Sequence, residues 1–177
     1  MRVVFDGNFF FFFFDMKVLV IGGSGFLGSH IVDKFRAKGC HVSVLDRTIE
    51  HYRRELPGVK YILGDIGNRG QVEAILKQSF DIIVHSVSST TPKTSNEDPE
   101  FDIQSNVIES VNFLQACAQH KVKKVIYLSS GGTVYGNSNS EYLSESDPVL
   151  PICSYAISKL SIKNYLGMFK VLYGLDY

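Results

Sequence analysis

Gly22, Gly25 and Gly28 stand three residues apart in GGSGFLGSH, directly after the apolar run KVLVI. Glycine at such positions lets the chain turn tightly, lets backbone approach a pyrophosphate and lets a helix pack closely on a strand. The helix amino terminus then offers free N–H groups to phosphate. Gly22, Gly25, Phe26, Leu27 and Gly28 are therefore expected to hold a dinucleotide phosphate, with a plain strand-to-helix turn as the alternative. Eighteen residues after Gly28, Asp46 closes VSVLD, where a carboxylate can accept from the adenosine ribose hydroxyls. That favours NAD; Arg47 beside it could instead pair with a ribose phosphate and admit NADP. Asp65, in LGDI with Ile66, is placed either to accept from an adenine amino group or to be a solvated loop acid. In HSVSS, His85 to Ser89, small side chains such as Ser86 let a flat ring and ribose lie against the backbone. His85 itself is expected to be a packed, hydrogen-bonded strand-end residue.

A second constellation lies in SYAISK, where Tyr155 and Lys159 are four residues apart and share one face of a helix starting near Ser154. A phenol titrating near 10 is a poor base at neutral pH, yet an adjacent ammonium and a cationic nicotinamide both favour its phenolate. Tyr155 is then suited to accept a substrate hydroxyl proton, and Lys159 to hold the nicotinamide ribose. Y-x-x-x-K is common by itself and gains its meaning from the glycine loop upstream.

These residues need a scaffold, and the sequence supplies one. Five strand-sized runs rich in Val and Ile occur at 17–21, 41–45, 59–63, 81–84 and 124–128. Most are continuously apolar, as in strands buried on both faces of a parallel sheet. Helical patterns separate them. Residues 26–38 carry Leu27, Ile31 and Phe35 and stop at Gly39, 102–120 place Val107, Val111, Leu114 and Ala118 on one stripe, and 70–78 form a shorter candidate. Strands alternating with helices predict an α/β fold, a Rossmann-like doubly wound parallel sheet with helices on both faces and ligands at the strand carboxyl ends.

Composition narrows the function classes. Eighteen basic and eighteen acidic residues give no net charge, which removes a bulk electrostatic case for nucleic acid or an anionic membrane. Cys40, Cys117 and Cys153 are far apart, so neither a disulfide framework nor a metal site is expected, and a reducing cytoplasm fits best. Residues 1–15 are anomalous: six of the 13 Phe residues form the run Phe9 to Phe14. Asp6 and Asp15 interrupt any signal-peptide pattern, so residues 1–15 are expected to be an extension outside the fold, with Met16 as the start of the Rossmann unit 16–177.

Taken together, the glycine loop, VLDR, GDI, Asn106, YLSSGGTVYG at 127–136, Glu145 with Pro148 and Pro151, and SYAISK resemble the extended short-chain dehydrogenase/reductases. The similarity is to their NAD-dependent epimerase/dehydratase branch, with UDP-glucose 4-epimerase-like enzymes as the nearest pattern. The resemblance runs from Met16 to Tyr177. It implies a nucleotide-sugar substrate, a hydride passed from a sugar carbon to bound NAD, and Tyr155 taking the hydroxyl proton. An epimerase then returns the hydride to the other face with no net oxidation. It also allows a homodimer formed through the helix near 102–120 and the Tyr155 helix.

Two departures stand out. The residue three before Val134, where the resemblance expects a hydroxyl, is Gly131, so the usual side chain is absent; Ser130 and Thr133 are the hydroxyls near enough to substitute, with Ser130 favoured, and SSGG otherwise reads as a flexible strand-end loop. Ile21 also replaces the threonine that commonly opens the glycine motif. Members of the family are commonly near twice this length, so the resemblance predicts a chain truncated where a sixth strand begins, lacking the last strands and the substrate domain. The alternatives are a non-catalytic NAD-binding module and an inactive product of an interrupted gene.

Overall fold

The structure, a computed structural model, describes residues 15–49, 52–138 and 142–177. The Phe run and most of the expected extension lie outside the described residues. Five strands form one parallel sheet: β1 (Lys17–Ile21), β2 (His41–Asp46), β3 (Lys60–Leu63), β4 (Ile82–His85) and β5 (Lys124–Tyr127), in the order β3-β2-β1-β4-β5. Val18, Leu19, Val20 and Ile21 of the central strand are all buried, as continuous apolarity required.

Alternation along each strand divides the core between the two faces. Val18, Val20, Val42, Val44 and Val84 meet Val32 of α1 (Phe26–Ala37). On the opposite face Leu19, Ile21, Leu45, Ile83 and Val125 pack against α2 (Arg69–Leu76), α5 (Glu109–Gln119) and α7 (Ser154–Tyr173). The doubly wound arrangement follows, with helices on both faces.

Two features differ from the sequence expectation, and a third meets it. Residues 102–120 are not one smooth helix. α3 (Pro92–Glu97) and α4 (Pro99–Asp102) come first, then a π-helical stretch, Ile103–Ile108, and only then α5. Each short helix starts on a proline after a capping residue: Thr91 accepts from Thr94 N–H, and Asp98 from Phe101 N–H. The wide π turn puts Ser105 and Asn106 inside the protein. SSGG is no irregular loop either: Ser130 caps a single turn, α6 (Gly131–Val134), and its carbonyl accepts from Thr133 and Val134 N–H, both at 3.1 Å. Finally, after α7 ends on Gly174 at φ 72°, Asp176 bridges Lys124 in parallel, with Val125 N–H donating to Asp176 O at 2.9 Å. This is the point at which the resemblance placed a sixth strand.

Candidate functional site

The carboxyl ends of β1, β2 and β4 open onto one crevice. Gly22 leaves β1 at φ +78°, a conformation suited to glycine, and its N–H donates to Leu45 O at 2.9 Å. A Cβ on Gly28 would lie 2.0 Å from Gly22 O and 2.7 Å from Gly23 Cα, so no side chain fits there. Gly25 is the N-cap of α1 and brings no side chain to occupy the N–H groups of its first turn, where Phe26, Leu27 and Gly28 lie. The loop is thus a backbone cradle at a helix amino terminus, the donor set a pyrophosphate needs.

Asp46 faces that cradle from the end of β2. Its Oδ2 accepts Ser24 N–H at 3.0 Å, and its Oδ1 accepts the N–H and hydroxyl of Thr48 at 3.1 and 3.2 Å. Arg47 reaches the other way: it donates to Ser89 Oγ at 3.3 Å and lies 3.8 Å from Asp65 Oδ2. Asp65 Oδ1 takes Gly67 N–H at 2.8 Å, so this acid shapes its own turn while leaving a half-exposed edge. Gly22, Asp46, Arg47, Asp65, Ile66 and Ser89 line one depression. Glu109, which sequence reasoning missed, closes its far side, its carboxyl pushed up by burial and by the Asp65 charge. Ser86 donates its N–H and hydroxyl to Ile21 O at 3.0 and 2.6 Å, tying β4 to β1 beneath the loop.

The Tyr155–Lys159 pair arrives on α7. Lys159 is buried, donates to Leu128 O at 3.1 Å, and places Nζ 5.0 Å from the Tyr127 ring centre and 5.6 Å from that of Tyr155. Burial pushes its ammonium down to about 8, against the pull of the Asp102 charge. Tyr155 and Lys159 line a small hollow with Val87, Ser88 and Asn106, next to the depression between Asp46 and Asp65 that Val87 also borders. Tyr127 lies below, its phenol pushed far up by burial and then by Tyr155; among the described residues its Oη has no hydrogen-bond partner. His85 is fully buried, pushed down to about 4 by desolvation and by the Lys159 charge, and it meets Ser110 Oγ at 3.0 Å. It is the packed strand-end residue the sequence suggested. Ser130 begins α6, which packs on α7, and the Thr133 hydroxyl is turned to Ser130 O at 3.4 Å. A Cβ on Gly131 would meet nothing within 4 Å.

Asp102, whose Oδ2 accepts from Ser154 and Ser158 Oγ of α7 at 2.9 and 2.6 Å, also escaped sequence reasoning. The one available signal was Ser154 and Ser158, four apart and offset by one from Tyr155 and Lys159.

A family model described as "NAD dependent epimerase/dehydratase family" matches residues 18–177. The chain belongs to this family. Within the epimerase/dehydratase family it is 33% identical to the UDP-glucose 4-epimerase of Mycolicibacterium smegmatis, over 91% of this chain and 53% of that one. The UDP-glucose 4-epimerase of Thermus thermophilus, solved with NAD, superposes with a TM-score of 0.83 at 35% identity, over 90% of this chain and 52% of that one. The Thermotoga maritima UDP-glucose 4-epimerase, solved with UDP-glucose, gives 0.84 at 31%, over 90% and 53%. The chain spans about half the length of the curated relatives it matches. Among the described residues no acid, His or Cys cluster could hold a metal ion, and no helix is long and apolar enough to cross a membrane.

Proposed function

We propose that residues 16–177 are the NAD-binding part of a nucleotide-sugar epimerase, with Tyr155 as its proton-transfer group. The observation that carries this reading is the meeting of a side-chain-free phosphate cradle with Tyr155 and the buried Lys159 at the carboxyl ends of the strands. The residues fit the cofactor: a Cβ at Gly28 would fill the cradle, and Lys159 is a buried cation with a further donor to give. In this reading Gly22, Gly25, Phe26, Leu27 and Gly28 hold the pyrophosphate, Asp46 the adenosine ribose, and Asp65 with Ile66 the adenine edge. Ser86 backs the ring. Arg47, engaged by Asp65 and Ser89, is drawn away from a ribose phosphate, which supports NAD over NADP.

NAD, when bound, supplies the hydride acceptor. Tyr155 would take the proton of the sugar hydroxyl and hold it for return to the sugar oxygen. Lys159 orients the nicotinamide ribose. Ser130, at the head of α6, is the hydroxyl that stands in for the one missing at Gly131. UDP-glucose is the substrate class suggested by the relatives, and the free cysteines Cys40, Cys117 and Cys153 favour a reducing cytoplasm. A second copy of the chain is the partner suggested by Ile157, Tyr165, Met168 and Leu172, exposed along α7, with Ile108 beside them.

Calorimetric titration tests the reading. NAD should bind more tightly than NADP, and Asp46→Asn should erase that preference. A chain that melts cooperatively yet binds no NAD would refute the proposal. A second reading, an NAD-binding module without turnover, is favoured by Gly131; interconversion of UDP-glucose and UDP-galactose by this chain would eliminate it.

A further inference from the structure

Asp102 ends α4 with no exposed surface. Its carboxylate accepts from four side chains on three segments. Oδ1 takes the Thr90 hydroxyl and, at 3.0 Å, Asn106 Nδ2; Oδ2 takes Ser154 Oγ at 2.9 Å and Ser158 Oγ at 2.6 Å. A buried carboxylate is tolerated only where its lone pairs are filled, and an apolar residue of similar volume would often be as stable or more so. Its presence here calls for another explanation.

Ser154 and Ser158 immediately precede Tyr155 and Lys159. One residue is roughly 100° of rotation about a helix, so the two serines form the stripe next to the Tyr155–Lys159 stripe. Fixing the first fixes the direction of the second. The start of α7 is held from the same segment of chain: Asn96 Oδ1 accepts Ser154 N–H at 3.0 Å, and Ser95 Oγ accepts Tyr155 N–H at 2.9 Å. The helix's own N-cap, Cys153, makes no side-chain cap, so the first turn of α7 is oriented by side chains from elsewhere.

We propose that Asp102 is a positioning residue, whose carboxylate sets the rotation of α7 and thereby directs Tyr155 and Lys159 into the crevice. This deepens the proposed function and rests on its assignment of that pair. Asp102 also acts on Lys159 through charge. The titratable groups around Lys159 are Tyr155 on α7, Tyr127 on β5, His85 on β4 and Asp102 on α4. Asp102 is the carboxylate among them, and it favours the ammonium.

The test follows the side-chain nitrogen resonance of Lys159 against pH in the cofactor-free chain labelled with ¹⁵N-lysine, assigned through Lys159→Arg. The wild-type midpoint should lie at about 8. Asp102→Asn keeps the shape and removes the charge, so the midpoint should fall by about one pH unit. The double variant Ser154→Ala, Ser158→Ala keeps the charge and cuts both ties to α7. Its Lys159 midpoint should rise toward that of an ordinary lysine, and its NAD affinity should drop about tenfold while the cooperative melt persists. Opposite movements in the two variants support the proposal. Midpoints unmoved in the double variant, or in both variants with only the melting temperature lowered, overturn it and leave Asp102 a packing residue. Should Asp102→Asn fail to fold, the serine variant decides alone. If the wild type binds no NAD, the dinucleotide reading fails separately, because the midpoints are read without cofactor.

Discussion

Lys159 ties the stability of the fold to pH, by an amount that its surroundings set. The side chain is 5% exposed, and burial lowers its midpoint from the ordinary 10.5 to about 8. Below pH 8 folded and unfolded chains both carry the proton, and the folded state bears the full cost of the buried charge. Between the two midpoints the unfolded chain keeps a proton that the folded chain has released, so stability rises with pH across that window. At about 1.4 kcal/mol per pH unit, the interval between midpoints amounts to about 3 kcal/mol. Lys159→Met keeps the length and removes the charge. Urea denaturation of both proteins at several pH values isolates the effect, since every other titrating group is common to the two. From about pH 7 to pH 11 the wild type should gain about 3 kcal/mol on the variant. The constant part of their difference contains the lost bond to Leu128 O. A difference that is flat with pH would refute the buried, desolvated ammonium. The variant should also lose NAD affinity even where it gains stability, as expected if the charge is kept for binding.

Gly28→Ala forces a Cβ to 2.0 Å from Gly22 O; with backbone on both sides it should cost about 1–3 kcal/mol and weaken NAD binding, read by thermal melts with and without cofactor. Gly131→Ser meets open space and should leave stability unchanged or raise it by about 0.5 kcal/mol through helix propensity; a loss would show that the missing side chain is excluded by packing. His85, held down to about 4 from an ordinary 6.5, is neutral when folded, so stability should fall by up to about 3 kcal/mol as pH drops through that interval. His85→Asn should lack that component, and equal acid sensitivity of the two proteins would count against it.

What the sequence revealed and what it hid divide along a physical line. The glycine loop was legible because backbone sterics alone demand glycine at Gly22 and Gly28, and the strands because burial on both faces leaves an unbroken apolar run. That Tyr155 and Lys159 share one helix was legible through their spacing. The Asp102 cluster was not: Thr90, Ser154 and Ser158 lie 12, 52 and 56 residues away from it, and each alone looks like a surface polar residue. The apolar stripe from Val107 to Ala118 likewise said nothing of the π turn in which it begins, where Asn106 Nδ2 donates inward to Thr90 Oγ1 and Asp102 Oδ1. Pro92 and Pro99 each stand at a helix start behind a capping residue, but such short helices have no periodicity to read and were not expected.

The polar cluster also sits where apolar packing could not do its task. The second half of α7 is anchored by Ile162, Leu166 and Phe169 in the core beside Phe113 and Leu114. Apolar contact is non-directional, and a helix held only that way can rotate or slide by small amounts at little cost. At its first half, where Tyr155 and Lys159 stand, α7 instead meets Ser95, Asn96 and Asp102 through directed hydrogen bonds. Displacing a reacting group by about 1 Å can cost on the order of a hundredfold in rate. Directional bonds belong at that end of the helix, and the stability forgone by burying Asp102 is exchanged for a defined orientation of the pair.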